Sequence, residues 1–458
     1  MDKTARLRVE WDKILAIVDA YQHRIDPTYA APLEEFQRRQ RLVHEALAEH
    51  GLDVGVVFSD EHYCGDVPYL GGNTNVAIEQ VAGAMGPTGF HIIAGLEGGY
   101  VAEQLAPRAG AAVHKVEMLQ LADEKYPIAA EKLEDVLSAA AGKPMSQIKR
   151  VALLTPRQVI PASLVAYLEK LVGKNNIVDA QELYYRVKYL KSDVEMRLIR
   201  DACVVADAML RGMLAVLQPG MLETEVAAWG YFIGRQLGCE DCGFKVIVGV
   251  GEANRTLIGK ALNRPIREGD WVHLGVAPTR DGLNSCIRRS VIAVESPALV
   301  TPDQRYWFDF IEEAYRAGYN KYVEIAEKGL PAWLQEQALV DFFEWKAEEV
   351  SRRCGKPIPL ARLKPYTGTH NSGYTECQEF FGAITLDSEE PLGEQIVTML
   401  DVALRGFGNH WNDAVIPGFD YIVVENTLGK FGRRVETLTK LPINVQSLVG
   451  NVDETSLG

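Results

Sequence analysis

Two acidic residues of this chain stand where acids are costly. Asp401 in VTMLDVAL and Glu425 in YIVVENT each interrupt an apolar run of strand character. An ionised carboxylate buried there needs a ligand, a cation or a proton to hold it. His370 lies in TGTHNSG, a glycine-rich polar stretch that reads as a loop and leaves an imidazole available for proton transfer or coordination. Cys286 occurs in SCIRRSVIAV, and of the two arginines after it only Arg288 shares its strand face, because side chains alternate. If the fold brings these groups together, two chemistries are open. A thiolate, an imidazole and two carboxylates form a site for one zinc or iron ion, whose bound water becomes acidic. Without a metal, His370 acts as general base or acid, a carboxylate orients it or takes the substrate's proton, and Cys286 is the nucleophile. Arg288 would lower the thiol's pKa or clamp a substrate carboxylate. Plainer roles stand beside these: a buried strand thiol for Cys286, a paired strand charge for Arg288, a structural salt bridge for the acids.

Further polar groups sit on a connecting stretch, RGFGNHWNDAVIPGFD, which places His410, Trp411 and Asp413 on one loop. An aromatic beside a histidine and an acid can line a substrate pocket, or the loop is an exposed connector with one buried tryptophan. Cys239 and Cys242 form a lone C-x-x-C without a second ligand pair or a strand-to-helix setting, so they read as structural thiols.

The elements that must position these residues follow from periodicity. The first part alternates helix and strand patterns, from FQRRQRLVHEALAEHG and LDVGVVFS to VALLT and ASLVAYLEKLV, as an α/β domain does. Near residue 180 a second domain begins, since Ser192 and Glu195 make a capping box ahead of an apolar helical series. The expected domains are 1–180 and 181–458. In the second, helices over 193–217 and 222–237 precede short strands joined by a hairpin at Asp281-Gly282. Thr301 and Gln304 then cap another helix, with more helix and then strands after it. This order is that of a duplicated helix pair with a mixed, largely antiparallel sheet.

Composition narrows the function classes. At 458 residues with 47% apolar and 24% charged content the chain can bury two cores. A net charge of -14 opposes nucleic acid and anionic membranes as partners. The N-terminal MDKTARLRVEWDK has no apolar centre, no run is long enough for a membrane helix, and seven scattered cysteines suit a reducing compartment; a cytoplasmic location is expected.

Several phrases together resemble the pita-bread-fold family of creatinase, aminopeptidase P, prolidase and methionine aminopeptidase. FQRRQRLVHEALAEHGLDVGVVFS resembles the opening of the creatinase-type N-terminal domain, KYLKSDVEMRLIRDACVVADAML the start of the catalytic domain, and NRPIREGDWVHLGV the strand entering its site. The resemblance implies an α/β chain with that N-terminal domain followed by a pita-bread domain, and a homodimer in which the N-terminal domain covers the neighbouring subunit's site. Family enzymes hold two divalent metals with two aspartates eleven apart, a histidine and two glutamates. Here the aspartate positions fall on Gly275 and Cys286, the histidine on His370, and the glutamates on Asp401 and Glu425. The histidine of the family's P-H-G phrase aligns with Ile258, and creatinase's hairpin glutamate with Arg288. His273 shares the strand face of Gly275, pointing to the site or lying as a satisfied core histidine. HYCGDVPYLGGNTN stands where the family writes N-x-x-Y-L-T-G, which makes His62, Tyr69 and Asn73 substrate-contact candidates beside an ordinary turn reading.

With both aspartates replaced, no two-metal site is expected, and either no cofactor or a single zinc or iron held by Cys286, His370, Asp401 and Glu425. His370, Cys286, Asp401 and Glu425 are the expected catalytic residues; Arg288, His410, Trp411, His273, His62 and Tyr69 are the expected substrate contacts. The expected activity is hydrolysis of a C–N bond in a small non-peptide molecule such as an amide, amidine or ureido compound. A lyase working by proton abstraction, or a non-catalytic binding protein, is the alternative.

Overall fold

The computed structural model describes residues 2–120, 130–374 and 381–452. They form two compact units, Ala30–Leu190 and Met1–Tyr29 with Lys191–Gly458. The helix α1 (Lys3–Gln22) opens the chain but belongs to the larger unit. Its Ile14, Ile17 and Tyr21 share one apolar core with Met209, Met213 and Ile233, and Lys13 Nζ donates to Ala215 O at 2.9 Å.

The smaller unit runs α2 (Leu33–Glu49), β1 (Val54–Ser59), α3 (Asp66–Gly71), β2 (Val81–Gly86), β3 (Gly89–Ala94), α4 (Leu96–Leu105), β4 (Ala112–Lys115), α5 (Leu133–Ala141), β5 (Val151–Leu153), α6 (Ala162–Val172), β6 (Ile177–Asp179) and α7 (Gln181–Tyr189). Its sheet has the order β4-β3-β2-β1-β5-β6, antiparallel at its two central hairpin pairings and parallel elsewhere. The boundary expected at 180/181 falls at 190/191 because α7 is tied to this unit. Tyr184 donates to Asp66 O at 2.6 Å, and Lys188 Nζ pairs with the buried Asp66 carboxylate at 2.6 Å.

The larger unit continues with α8 (Asp193–Val216), α9 (Glu223–Gln236), β7 (Ile247–Val250), β8 (Trp271–Val276), β9 (Thr279–Arg280), β10 (Leu283–Asn284), β11 (Ile287–Ile292), α10 (Pro302–Lys328), α11 (Trp333–Cys354), β12 (Thr369–Asn371), β13 (Gln395–Arg405), β14 (Tyr421–Phe431) and β15 (Arg434–Thr437). Both capping boxes form: Ser192 Oγ accepts from Glu195 N at 3.1 Å, and Thr301 Oγ1 from Gln304 N at 3.2 Å. Asp281 and Gly282 turn β9 into β10 with φ of 49° and 79°, a left-handed pair suited to Asp-Gly. The main sheet has the order β12-β13-β14-β11-β8-β7 with β15 on β14, and every described pairing in it is antiparallel rather than mixed.

Strand alternation divides the two faces of this sheet. Leu274, Ile287 and Val291 pack into the core of α8 and α9, while Val402, Leu404, Ile422 and Val424 pack into that of α10 and α11. On the opposite face runs a lateral row of charged residues beginning at a glycine. Gly275 of β8 pairs with Arg288 of β11, Arg288 with Glu425 of β14, and Glu425 with Asp401 of β13.

Candidate active site

That row is the floor of the site. His370 adds the imidazole from β12, where it pairs with Met399; the stretch read as a loop is a short edge strand. Its Nδ1–H donates to Asn371 O at 3.0 Å, which fixes the ring, and Nε2 lies 3.3 Å from Glu425 Oε1. One proton must therefore lie between those two atoms for a hydrogen bond. His370, Asp401 and Glu425 present ligand atoms all within 4.8 Å of one another, and all three side chains are buried.

Arg288 lies among them. Its Nη2 donates to both Asp401 oxygens at 2.9 Å and to Tyr421 Oη at 2.8 Å, and it also meets the Tyr366 hydroxyl. Its Nε is 2.7 Å from Glu425 Oε2. Tyr366 in turn donates to Asp401 Oδ1 at 3.1 Å and contacts the Tyr421 hydroxyl. A buried guanidinium thus faces two carboxylates and two phenols.

The electrostatics follow from this geometry. Burial pushes the Asp401 carboxyl up to about 6 against the pull of Arg288, with Glu425 adding to the rise. Burial also acts on Glu425, but Arg288, His370 and a hydrogen bond from Cys286 outweigh it and hold that carboxyl below its usual range. The two acids are pushed apart, so one is poised to carry a proton near neutrality while the other stays ionised. Burial works against charge on Arg288, yet the acids and phenols around it hold its pKa well above the ordinary value.

The expected residues separate accordingly. Arg288 does not reach outward as a substrate clamp; its Nε and Nη2 meet Asp401, Glu425 and the two tyrosines. Cys286 is buried in a small apolar cluster with Ala277 and Met399, its N–H donating to Thr427 Oγ1 at 3.0 Å and its carbonyl accepting from the same hydroxyl at 2.8 Å. It bonds Glu425 but stands outside the His370, Asp401 and Glu425 group, so the four-ligand set does not form. His273 is on the site face, its ring 5.1 Å from that of Tyr421, and burial with Arg288 nearby drives its pKa well below the usual value, leaving it neutral.

His410 and Trp411 are exposed on the loop between β13 and β14, where Arg255 bonds the Trp411 carbonyl and pairs with Asp420. Tyr69 is a core residue of the smaller unit, packed edge-on against Tyr184 at 5.7 Å and beneath Arg39. His62 sits in a turn of that unit, its N–H on Asp60 Oδ1 at 2.8 Å. Tyr366 and Tyr421 were missed. Tyr421 carried a signal, since it lies four residues before Glu425 on the same strand face; Tyr366 carried none.

A two-metal centre does not fit these residues. Gly275 offers no donor, and a Cβ there would meet Arg288 Cγ at 3.1 Å and Cδ at 3.2 Å, so the arginine stem fills the space a ligand would take. Cys286 stands where the resemblance places the second aspartate. The carboxylates that remain already hold a cation.

The likeness to known proteins is now specific. Residues 197–355 match metallopeptidase family M24. The chain is 25% identical to an Xaa-Pro dipeptidase of Pyrococcus horikoshii over 259 residues, 56% of this chain and 69% of that protein. It is 26% identical to an Xaa-Pro dipeptidase of Pyrococcus furiosus over 218 residues, 47% of this chain and 60% of that one. Among solved structures, the prolidase from Pyrococcus horikoshii superposes with a TM-score of 0.65 at 18% identity, covering 88% of this chain and 98% of that one. An X-Pro aminopeptidase from Thermotoga maritima gives 0.68 at 18%, covering 89% and 99%. These relatives overturn the expected non-peptide C–N hydrolase and its lyase and binding-protein alternatives, because the activity their names carry is peptide hydrolysis.

Proposed function

We propose that this chain, which matches metallopeptidase family M24 over residues 197–355 and shares the fold of prolidase, hydrolyses the C–N bond of a small peptide, a dipeptide in the first instance. The observation that carries the reading is the buried grouping of His370, Asp401 and Glu425 within 4.8 Å in a chain whose relatives are named Xaa-Pro dipeptidases. Amide hydrolysis needs a base for water and an acid for the departing nitrogen. The His370–Glu425 pair supplies a site that accepts and returns a proton, Asp401 supplies a second carboxyl poised near neutrality, and Arg288, held by both acids, keeps Glu425 ionised. Water adds to the carbonyl carbon as one of its protons passes to the pair. The C–N bond then breaks as that proton reaches the leaving amine.

The test is release of free amino acids from a dipeptide panel that includes Xaa-Pro sequences, run with the full chain and with Glu425→Gln. Turnover by the wild type and its loss in the variant support the reading. Absence of turnover across the panel, with and without added manganese or zinc, refutes it. The resemblance to the family also leads to the proposal of a cytoplasmic homodimer, and light scattering on the purified chain tests the dimer. No helix among the described residues is long and apolar enough to cross a membrane.

A further inference from the structure

We propose that Arg288 is the resident cation of this site: its guanidinium occupies the carboxylates that would otherwise bind a divalent ion, and removing it creates a metal site from His370, Asp401 and Glu425. Three observations converge. The lateral register sets Arg288 directly between Gly275 and Glu425, with Asp401 next in the row. Gly275 gives the arginine stem its room, since even one added carbon would press on Arg288 Cγ and Cδ. The guanidinium engages both Asp401 oxygens and Glu425 Oε2, leaving of the carboxylate atoms only Glu425 Oε1, which already faces His370 Nε2 at 3.3 Å. The glycine and the arginine are therefore complementary: the first withdraws a ligand, and the second fills the vacated volume with a side chain carrying permanent positive charge. A divalent ion entering here would be repelled by that charge and would find no free carboxylate oxygen. Without Arg288 an imidazole and two carboxylates remain within one coordination sphere, a donor set suited to zinc with an open position.

The inference concerns occupancy rather than substrate, so failure to cleave any dipeptide would leave it intact. The full chain is stripped with chelator, dialysed against zinc, desalted and measured by elemental analysis, beside Arg288→Met, Arg288→Gln and the double variant Arg288→Met with Glu425→Gln. Folding of each is checked by circular dichroism. Fewer than about 0.1 zinc per wild-type chain, about one in each single variant and none in the double variant is the expected pattern. Zinc retained by the wild type at about one per chain would overturn the proposal, even if both Arg288 variants fail to fold, and so would folded single variants that bind none.

Discussion

Replacing Arg288 with methionine, which keeps the stem over Gly275 and deletes only the charge, strands two acids that are 5% and 1% exposed at Asp401 and Glu425. Breaking a buried ion pair from one side costs about 3–5 kcal/mol, so the variant should lose that much stability at pH 8 in chelator. The sign of the pH dependence is fixed by the same geometry. With the guanidinium gone, burial raises both folded carboxyl pKa values above their unfolded values of about 4, so the penalty is absent below pH 4, grows as pH rises from the unfolded toward the folded values, and is complete above them. The wild type shares part of this trend, because its Asp401 is already raised to about 6, whereas its Glu425 is lowered. The excess loss in the variant therefore comes from both acids, since Asp401 rises further without the pull of Arg288 and Glu425 loses the same pull. Each unit by which burial raises a carboxyl of the variant contributes about 1.4 kcal/mol between its unfolded and folded values, so the gap between variant and wild type should narrow by roughly 2 kcal/mol between pH 8 and pH 5. Urea unfolding of both proteins at the two pH values measures it. A loss under about 1 kcal/mol at pH 8, or a gap that does not narrow at pH 5, would show that Arg288 is not what holds the two acids, against the magnitude expected for a buried pair.

Three further outcomes follow from particular contacts. Glu425→Gln should lower dipeptide hydrolysis by about 100-fold or more, the usual range for a proton-transfer group, while leaving the circular dichroism spectrum unchanged. Cys286→Ser should keep hydrolysis within about 10-fold of wild type, since its N–H and carbonyl are fixed by Thr427 and it is buried in a cluster with Ala277 and Met399; a loss of 1,000-fold would restore it as a nucleophile. Arg289→Lys should destabilise by about 3 kcal/mol in urea melts. Its guanidinium serves the carbonyls of Arg288, Glu425, Leu441 and Pro442 and the Asn426 side chain, a spread an ammonium cannot span.

What was legible in the sequence was whatever short-range chemistry fixes. The capping boxes at Ser192 and Thr301, the Asp281-Gly282 turn and the alternation that separates Arg288 from Arg289 are local signals, and the structure reproduces each of them. Asp401 and Glu425 announced themselves as acids out of place in apolar strands, and they do lie opposite each other across β13 and β14. The domain boundary was misplaced because a helix pattern does not say which core it joins. α7 is held by Lys188 and Tyr184 on Asp66, a contact more than a hundred residues distant in sequence. Tyr366 was invisible for the same reason, as nothing near it in the chain calls for a phenol. The substrate expectation failed for a different reason: replaced ligands say what a site has lost, not which bond it still cleaves.

Reading Gly275 and Cys286 only as losses left Arg288, already singled out on the face of Cys286, without its place among the acids. A missing aspartate in a buried row of acids leaves negative charge with no counterion, a condition a folded protein does not tolerate. The sequence therefore had to supply a cation within reach of Asp401 and Glu425, and strand register limits the choice to the positions flanking Glu425. On the β11 side that position is Arg288, and across from it the residue must be small, which Gly275 is. Gly275 and Arg288 are coupled in physical terms, since a Cβ at position 275 would press on the arginine stem. A lone Gly275→Asp change should accordingly crowd Arg288 and displace it from Asp401, whereas pairing it with Arg288→Ala should relieve the clash. Double-mutant stability measurements decide this: a coupling energy of about 1 kcal/mol or more between the two positions is expected, and simple additivity would refute the pairing.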